Sequence, residues 1–195
     1  MNNLPEFYNL TYLPSTASCS KLLENGKIPI AANQQWQKAN HFNQTMIVGC
    51  NGPIKLSVPI TGGRGVKESY DKVRISYAEN WQIKHWRSIF SAYGSAPFFE
   101  HYSHYFEPFY EKKNRIDLLI DFNLSLLNVV SKILHIESSI ELILAENYNK
   151  TDNQLPISSI VYHQVFEQKI GFVSNASVID LIFNEGPEAK RILRK

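Results

Sequence analysis

Apolar and polar residues alternate along several short stretches of the first 77 residues, a pattern typical of strands with one buried face. The alternation is clearest over residues 54–60 and 72–77, and residues 28–32 are predicted to form a further short strand. An Asn51-Gly52 pair lies between two apolar stretches. It predicts a hairpin turn at these two residues, because both tolerate a positive φ.

After residue 80 the apolar residues recur at three- and four-residue steps, which predicts helices. The first helix is expected to run from a cap at Asn80 to Tyr93 and to be ended by Gly94. Ile83, Trp86 and Phe90 are predicted to form its buried face together with Tyr93. A helix in this register places His85 and Arg87 on either side of the core-facing Trp86.

Two more helices and one strand are predicted towards the end of the chain. Asn123 is expected to cap the second helix, and residues 141–145 to form a strand. The third helix is expected to follow Asn175, to end near Asn184 and to be closed by Gly186-Pro187. Strands followed by helices predict an α+β fold, with α/β as the alternative. We expect a single domain over residues 1–195, whose small mixed sheet and strand-rich N-terminal half pack against helices of the C-terminal half.

Composition narrows the class of protein. The chain has 195 residues, 44% hydrophobic content and a formal net charge of +2. This hydrophobic content is enough to form a core. The net positive charge is too small for a nucleic-acid binder, even with the short basic run 190–195. The sequence has no apolar run long enough to span a membrane and no leader-like start. We therefore expect a cytoplasmic protein with no nucleic-acid partner, and we expect Cys19 and Cys50 to be reduced, buried core residues.

The third predicted helix contains a carboxylate in an almost wholly apolar run. Asp180 lies among Val178, Ile179, Leu181 and Ile182 and is therefore predicted to be buried. A buried carboxylate needs a cation or hydrogen-bond donors, since its desolvation is otherwise costly. The partners we expect are Lys38, Arg64, Arg87 or a set of backbone amides.

Three groups of residues suggest chemistry, each beside a structural interpretation that is favoured over it. His101 and His104 have a metal-ligand spacing, but a surface turn with stacked aromatic rings is the better interpretation, and we predict no metal. The loop 62–65 offers amides and Arg64 to an anion, or is a plain connection between strands. His85 suits acid–base chemistry near neutral pH, or is a core histidine bonded to a backbone carbonyl.

Motifs spread along the chain resemble the WbqC-like family of bacterial proteins. They are 11–14 (Thr-Tyr-Leu-Pro), 36–38 with Asn43, 58–65, 81–99 with its central His-Trp-Arg-Ser-Ile, and 162–187 with its Asp-Leu-Ile-Phe-Asn-Glu-Gly-Pro. Three features of the family are replaced in this sequence. Ala31-Ala32-Asn33 stands where relatives often have acidic residues or histidine before the Gln-Lys pair, and Phe42-Asn43-Gln44 stands where they often have Arg-Asn-Arg. Ala17-Ser18-Cys19 replaces the Gly-Tyr-Phe that tends to follow Tyr-Leu-Pro.

The resemblance implies a role in the biosynthesis of O-antigen or other surface polysaccharides, with transfer of a glycyl or other acyl group to an amino sugar. No cofactor is implied, and the implied ligand is a nucleotide sugar or an acyl donor. The catalytic residues would be His85 and Asp180, and the substrate-binding residues Tyr12, Gln37, Lys38, Asn43, Arg64, Trp81, Arg87 and Asn184. The replaced positive charges favour an alternative, a non-catalytic binding or assembly protein of the same pathway.

Overall fold

The computed structural model describes residues 8–24, 27–136, 139–143 and 160–194, and within these ranges it does not describe the side chains of residues 24, 27, 28, 64 and 139–143. In chain order the elements are α1 (Thr16–Glu24), β1 (Lys27–Ala31), β2 (Gln44–Gly49), β3 (Gly52–Ser57), α2 (Trp81–Tyr93), α3 (Phe99–Phe106), α4 (Leu119–Ile133), β4 (Ser139–Ile143), α5 (Glu167–Ile170), α6 (Val178–Glu185) and α7 (Ala189–Leu193). This is an α+β fold, as predicted.

The strands form two separate pairs. β1 and β4 are parallel, with Lys27 opposite Ser139, whereas β2 and β3 form an antiparallel hairpin with Gln44 opposite Ser57. The parallel pair brings strands from the two halves of the chain together. The last two residues of the predicted strand 141–145 lie outside the described residues.

The hairpin is confirmed, but its turn lies one residue earlier than predicted. Gly49 pairs with Gly52, so that Cys50 and Asn51 form the connecting loop. Gly52 supplies the positive φ, at +119°. Cys50 is therefore exposed at the tip and not buried as expected, while Cys19 is buried in α1. The predicted strand over 72–77 was also wrong: this segment makes single bridges, from Ile75 to Ile60 and from Arg74 to Leu118.

Helix α2 has the predicted bounds but a different buried face. Trp81, His85 and Ile89 are buried together with the predicted Tyr93, whereas Ile83 and Trp86 are half-buried and Phe90 is 60% exposed. The helix is thus rotated relative to the prediction, and His85 points into the core. The rotation follows from the partners of the buried rings: Trp81 packs against Phe122 of α4 at a centroid distance of 5.7 Å.

Two further helices differ from the predictions. The segment around His101 and His104 is helix α3, not a surface turn. Helix α4 begins at Leu119, so Asn123 lies inside it and does not cap it. The Asn123 side chain is fully buried, and its Nδ2 donates to the carbonyl oxygen of Phe42 and to the hydroxyl of Tyr70, both at 2.8 Å.

Helix α6 joins the C-terminal segment to the strand-rich half. Its residues from Val178 to Asn184 are all buried. Backbone bonds connect it to the N-terminal half, from Val178 N to Pro14 O and from Ser177 N to Met46 O, both at 2.8 Å. The two halves therefore share one core, which confirms the predicted packing. No described helix has the length and apolarity needed to cross a lipid bilayer.

Candidate functional site

A cavity of about 570 Å³ with a partly polar lining lies where the segment before β2 meets the end of β3, and we call it the Lys38 cavity. Its size is that of a small-molecule site. Three of the predicted substrate-binding residues, Gln37, Lys38 and Asn43, line it together. The remaining lining residues are Trp36, Gln44, Ser57, Val58, Pro59, Ile60, Gly63 and Val66.

Local backbone structure places these side chains around the Lys38 cavity. A 3-10 turn over Lys38–Asn40 ends at His41, whose φ is +54°, and turns the chain into β2. The Val58 amide donates to the carbonyl oxygen of Asn43 at 2.8 Å. The Asn43 side chain also bonds to Val58 and to the residue before it: its Nδ2 donates to Val58 O at 2.7 Å and to Ser57 Oγ at 3.2 Å.

The charge around the Lys38 cavity is positive. Lys38 is exposed and makes no ion pair with any of the residues that the structure describes, and no aspartate or glutamate is among the lining residues. With both Nδ2 contacts of Asn43 made within the protein, its Oδ1 is left as an acceptor for a ligand. One ammonium group and the amide side chains of Gln37, Asn43 and Gln44 suit a ligand that carries both a negative charge and hydroxyl groups.

A buried cluster of tyrosine and histidine lies behind the end of β3. The Tyr12 hydroxyl lies 3.1 Å from Nδ1 of His85 and 2.7 Å from the Tyr110 hydroxyl, and the Trp81 ring meets the imidazole edge-on at 5.1 Å. Burial lowers the pKa of His85 to about 4, against an opposing effect of the Ser57 backbone. The imidazole is therefore neutral at physiological pH.

Ser57 links the cluster to the Lys38 cavity. Ser57 lines the cavity and accepts a hydrogen bond from Asn43, while its backbone acts on the pKa of His85. His85 itself is 6% exposed and is not one of the lining residues. The structure thus places His85 one residue behind the cavity wall.

Asp180 is buried as predicted, but its partners are neutral side chains, neither the cations nor the backbone amides that we expected. Its Oδ2 accepts hydrogen bonds from the Tyr162 hydroxyl at 2.6 Å and from Nε2 of Gln164 at 2.8 Å. Burial raises the pKa of Asp180, and the bonds from Tyr162, Tyr93 and Gln164 partly offset that effect. The described cations Lys38 and Arg87 make no ion pair with it, and the side chain of Arg64 lies outside the described residues.

The Asp180 cluster fixes the segment that precedes α6. Gln164 Oε1 accepts from the Val173 amide at 2.8 Å, and Asn184 Oδ1 accepts from the Val165 amide at 3.1 Å. Asn184 also donates to the carbonyl oxygen of Asp180 at 2.7 Å. None of these side chains lines the Lys38 cavity.

The other predicted site residues are dispersed. Trp81 and Tyr12 are buried in the tyrosine–histidine cluster, and Arg87 is exposed on α2. Gly63 contributes backbone to the Lys38 cavity, and the neighbouring Arg64 lies in the same 3-10 turn, Gly63–Gly65. Sequence reasoning missed Ser57, Tyr110, Tyr162 and Gln164. Tyr162 and Gln164 lie in the motif 162–187, but the motif does not show what they contact. Each of the four residues acquires its role from a residue at least 14 positions away.

Comparison with known proteins gives one match. The model of the WbqC-like protein family matches residues 11–159. This range contains the Lys38 cavity and the tyrosine–histidine cluster, and it ends before the motif 162–187 and the Asp180 cluster. No curated protein and no solved structure matches the chain significantly.

Proposed function

This chain belongs to the WbqC-like protein family, and from that premise we propose that it binds a nucleotide-activated amino sugar in the Lys38 cavity and transfers an acyl or glycyl group to the sugar amine during surface polysaccharide biosynthesis. The observation that carries the proposal is the convergence of Gln37, Lys38 and Asn43 on one positively charged cavity. These three residues come from a short stretch that lies within the family match.

The chemistry of the lining matches such a ligand. The Lys38 ammonium offsets the charge of a phosphate, and the amides of Gln37 and Asn43 bind sugar hydroxyls. The Trp36 ring gives the cavity an aromatic wall, against which the apolar face of a sugar packs. A few polar side chains at fixed positions on a mostly apolar wall orient a small ligand.

In the transfer step the amine nitrogen attacks the acyl carbonyl carbon. The new C–N bond forms, the bond from the carbonyl carbon to the donor's leaving group breaks, and the amine gives up a proton. We assign that proton to His85, because its neutral imidazole lies next to Ser57 of the cavity wall, whereas Oδ2 of Asp180 already accepts hydrogen bonds from Tyr162 and Gln164. Ser57 is the residue between the cavity and this base.

A second candidate is a non-catalytic protein that binds the same ligand. One observation favours it: neither His85 nor Asp180 is among the residues that line the Lys38 cavity. Both candidates require binding, and only the first requires turnover.

The test of binding measures thermal stabilisation by nucleotide-linked amino sugars at millimolar concentration. A ligand at a hundred times its dissociation constant adds ~2.7 kcal/mol to the stability. Lys38→Ala should weaken binding about tenfold or more, because a charge-assisted contact is worth roughly 1.5–3 kcal/mol. Lys112→Ala, an exposed lysine outside the cavity, is the matched control and should bind like the native protein.

Absence of stabilisation by every nucleotide sugar would contradict both candidates. Mass spectrometry of the sugar after incubation with acyl donors then separates them. Transfer predicts an acylated product that His85→Gln fails to form while still binding the sugar. Binding without any product from the native protein would establish the second candidate.

A further inference from the structure

A second cavity, of about 470 Å³, shares Gln44 with the Lys38 cavity, and we call it the Lys55 cavity. It lies where three segments of the chain meet, residues 11–15, 41–46 and 175–177, with the hairpin strand β3 as a fourth wall. The proposed function makes no use of this cavity. Its volume is again that of a small-molecule site.

Hydrogen bonds between the three segments hold them in place and satisfy several of their polar groups. Thr45 Oγ1 and Ser177 Oγ both donate to the carbonyl oxygen of Leu13, at 2.7 and 3.1 Å. The Ser177 amide donates to Met46 O at 2.8 Å. With these groups engaged, the surface that faces the cavity is mostly carbon, including the side chains of Leu13, Met46 and Pro53.

The backbone around the Lys55 cavity is strained at three points. Four residues other than glycine have a positive φ in the part of the chain that the structure describes, and three of them line this cavity: Leu13 at +42°, His41 at +54° and Asn175 at +55°. Such conformations are rare for side-chain-bearing residues and concentrate at ligand sites, where the surrounding structure imposes them. Their grouping here indicates that the shape of the cavity is specified.

The ionisable side chains on the wall are those of Lys55 and His41. Lys55 is exposed on β3 and makes no ion pair with the described residues, and His41 is held by a 2.8 Å contact between its Nδ1 and Oε1 of Gln44. Among the described residues, no aspartate or glutamate lines the cavity. An apolar wall beside an unpaired ammonium and an imidazole suits a ligand that has a hydrocarbon chain and an anionic head.

We propose that the Lys55 cavity is a second ligand site, which takes an acyl or alkyl chain against Leu13, Met46 and Pro53 and an anionic head group at Lys55 and His41. The site is independent of the proposed function, because it is built from a different set of side chains and requires no nucleotide sugar. Gln44 is the wall that the two cavities have in common.

Methionine labelling tests this directly, because the chain has two methionines, Met1 and Met46. In the full-length protein labelled at the methionine methyl carbons, octyl phosphate is titrated below its micelle concentration. The Met46 methyl signal should shift and saturate. Octanol, which has the same chain without the charge, should bind about tenfold more weakly or worse.

Variants locate the head group. Lys55→Ala should weaken octyl phosphate binding about tenfold, and Lys55→Glu further, whereas Lys38→Ala should leave it unchanged. Both Lys55 variants change an exposed side chain, so their folding is preserved. Absence of a saturable Met46 shift, equal affinity for octanol, or loss of binding in Lys38→Ala in place of Lys55→Ala would each overturn the inference. Binding of nucleotide sugars depends on Lys38 and is scored separately, so that failure of one proposal leaves the other intact.

Discussion

His85 is the residue whose surroundings change its chemistry most clearly. Its imidazole is enclosed by Tyr12 and Trp81, with ring centroids 5.7 and 5.1 Å away. Burial of this kind disfavours the charged form, which is why its pKa is lowered from 6.5 to about 4. A histidine of ordinary pKa would be partly protonated at neutral pH and would carry its charge into the core.

This lowered pKa predicts a pH dependence of stability. Between pH 6.5 and about 4 the unfolded chain binds a proton at residue 85 that the native protein does not, so the contribution of His85 is present above pH 6.5 and is lost as the pH falls towards 4. A shift of this size corresponds to about 3 kcal/mol. Urea unfolding at pH 7 and pH 4.5 measures it.

The control separates His85 from the other titrating groups. His85→Gln should lose this part of the pH dependence, whereas His163→Gln, at an exposed position, should keep it. An unchanged difference in unfolding free energy between the two pH values in His85→Gln would show that His85 is not the group responsible.

Sequence alone predicted the burial of Asp180 but not its partners. Burial follows from the apolar residues on both sides of Asp180, which leave the helix no solvated face. Tyr162 and Gln164 lie 18 and 16 positions earlier, in a segment without periodicity, so nothing local shows that they face the carboxylate. We expected a cation or backbone amides, because charge balance and a helical backbone are visible in a sequence, whereas hydroxyl and amide side chains brought in from another segment are not.

At the scale of elements, the β2–β3 hairpin carries side chains into both cavities. Asn43 and Ser57 face the Lys38 cavity at its open end, and Met46 and Lys55 face the Lys55 cavity. The turn at its closed end depends on Gly52, whose φ of +119° is rarely adopted by other residues.

Gly52→Ala should therefore destabilise the protein by about 1–2 kcal/mol, through backbone strain alone. No atom lies within 4 Å of where its Cβ would be, so steric overlap does not contribute. Gly65→Ala is the matched control: it also meets nothing within 4 Å and requires no positive φ, and its unfolding free energy should stay within about 0.5 kcal/mol. Equal effects of the two variants in urea unfolding would contradict this account.

Local signals predicted elements well and their orientation poorly. The bounds of α2 were predicted from Asn80 and Gly94, although Asn80 makes no side-chain capping bond and Gly94 has a right-handed conformation. Its buried face was predicted wrongly, because Ile83, Trp86 and Phe90 are as apolar as Trp81 and Ile89. The rings of Tyr12 and Phe122, which pack against His85 and Trp81, decide between the two faces. Residues 72–77 alternate like a strand, but the segment has no long partner strand and makes only single bridges among the described residues.

At the scale of the whole molecule, the candidate site is made by contact between the early part of the chain and the hairpin. Gln37, Lys38 and Asn43 are close in sequence, and their grouping could be expected from that spacing. Ser57 reaches them through the register of β2 and β3, which pairs Gln44 with Ser57. The position of His85 behind Ser57 depends on the rotation of α2, which no pattern in the sequence determines.

Helix α6 has a consequence for where this protein can be cut. The family match ends at residue 159, but Phe183 is fully buried, with its ring 5.0–5.8 Å from those of Tyr93, Phe99 and Phe106, all of which lie within the match. A fragment trimmed to residues 1–159 would leave these three rings facing water. We expect this fragment to bind hydrophobic dyes and to melt without a sharp transition. The end of the family match is therefore not a position at which the protein can be truncated without loss of its packed core.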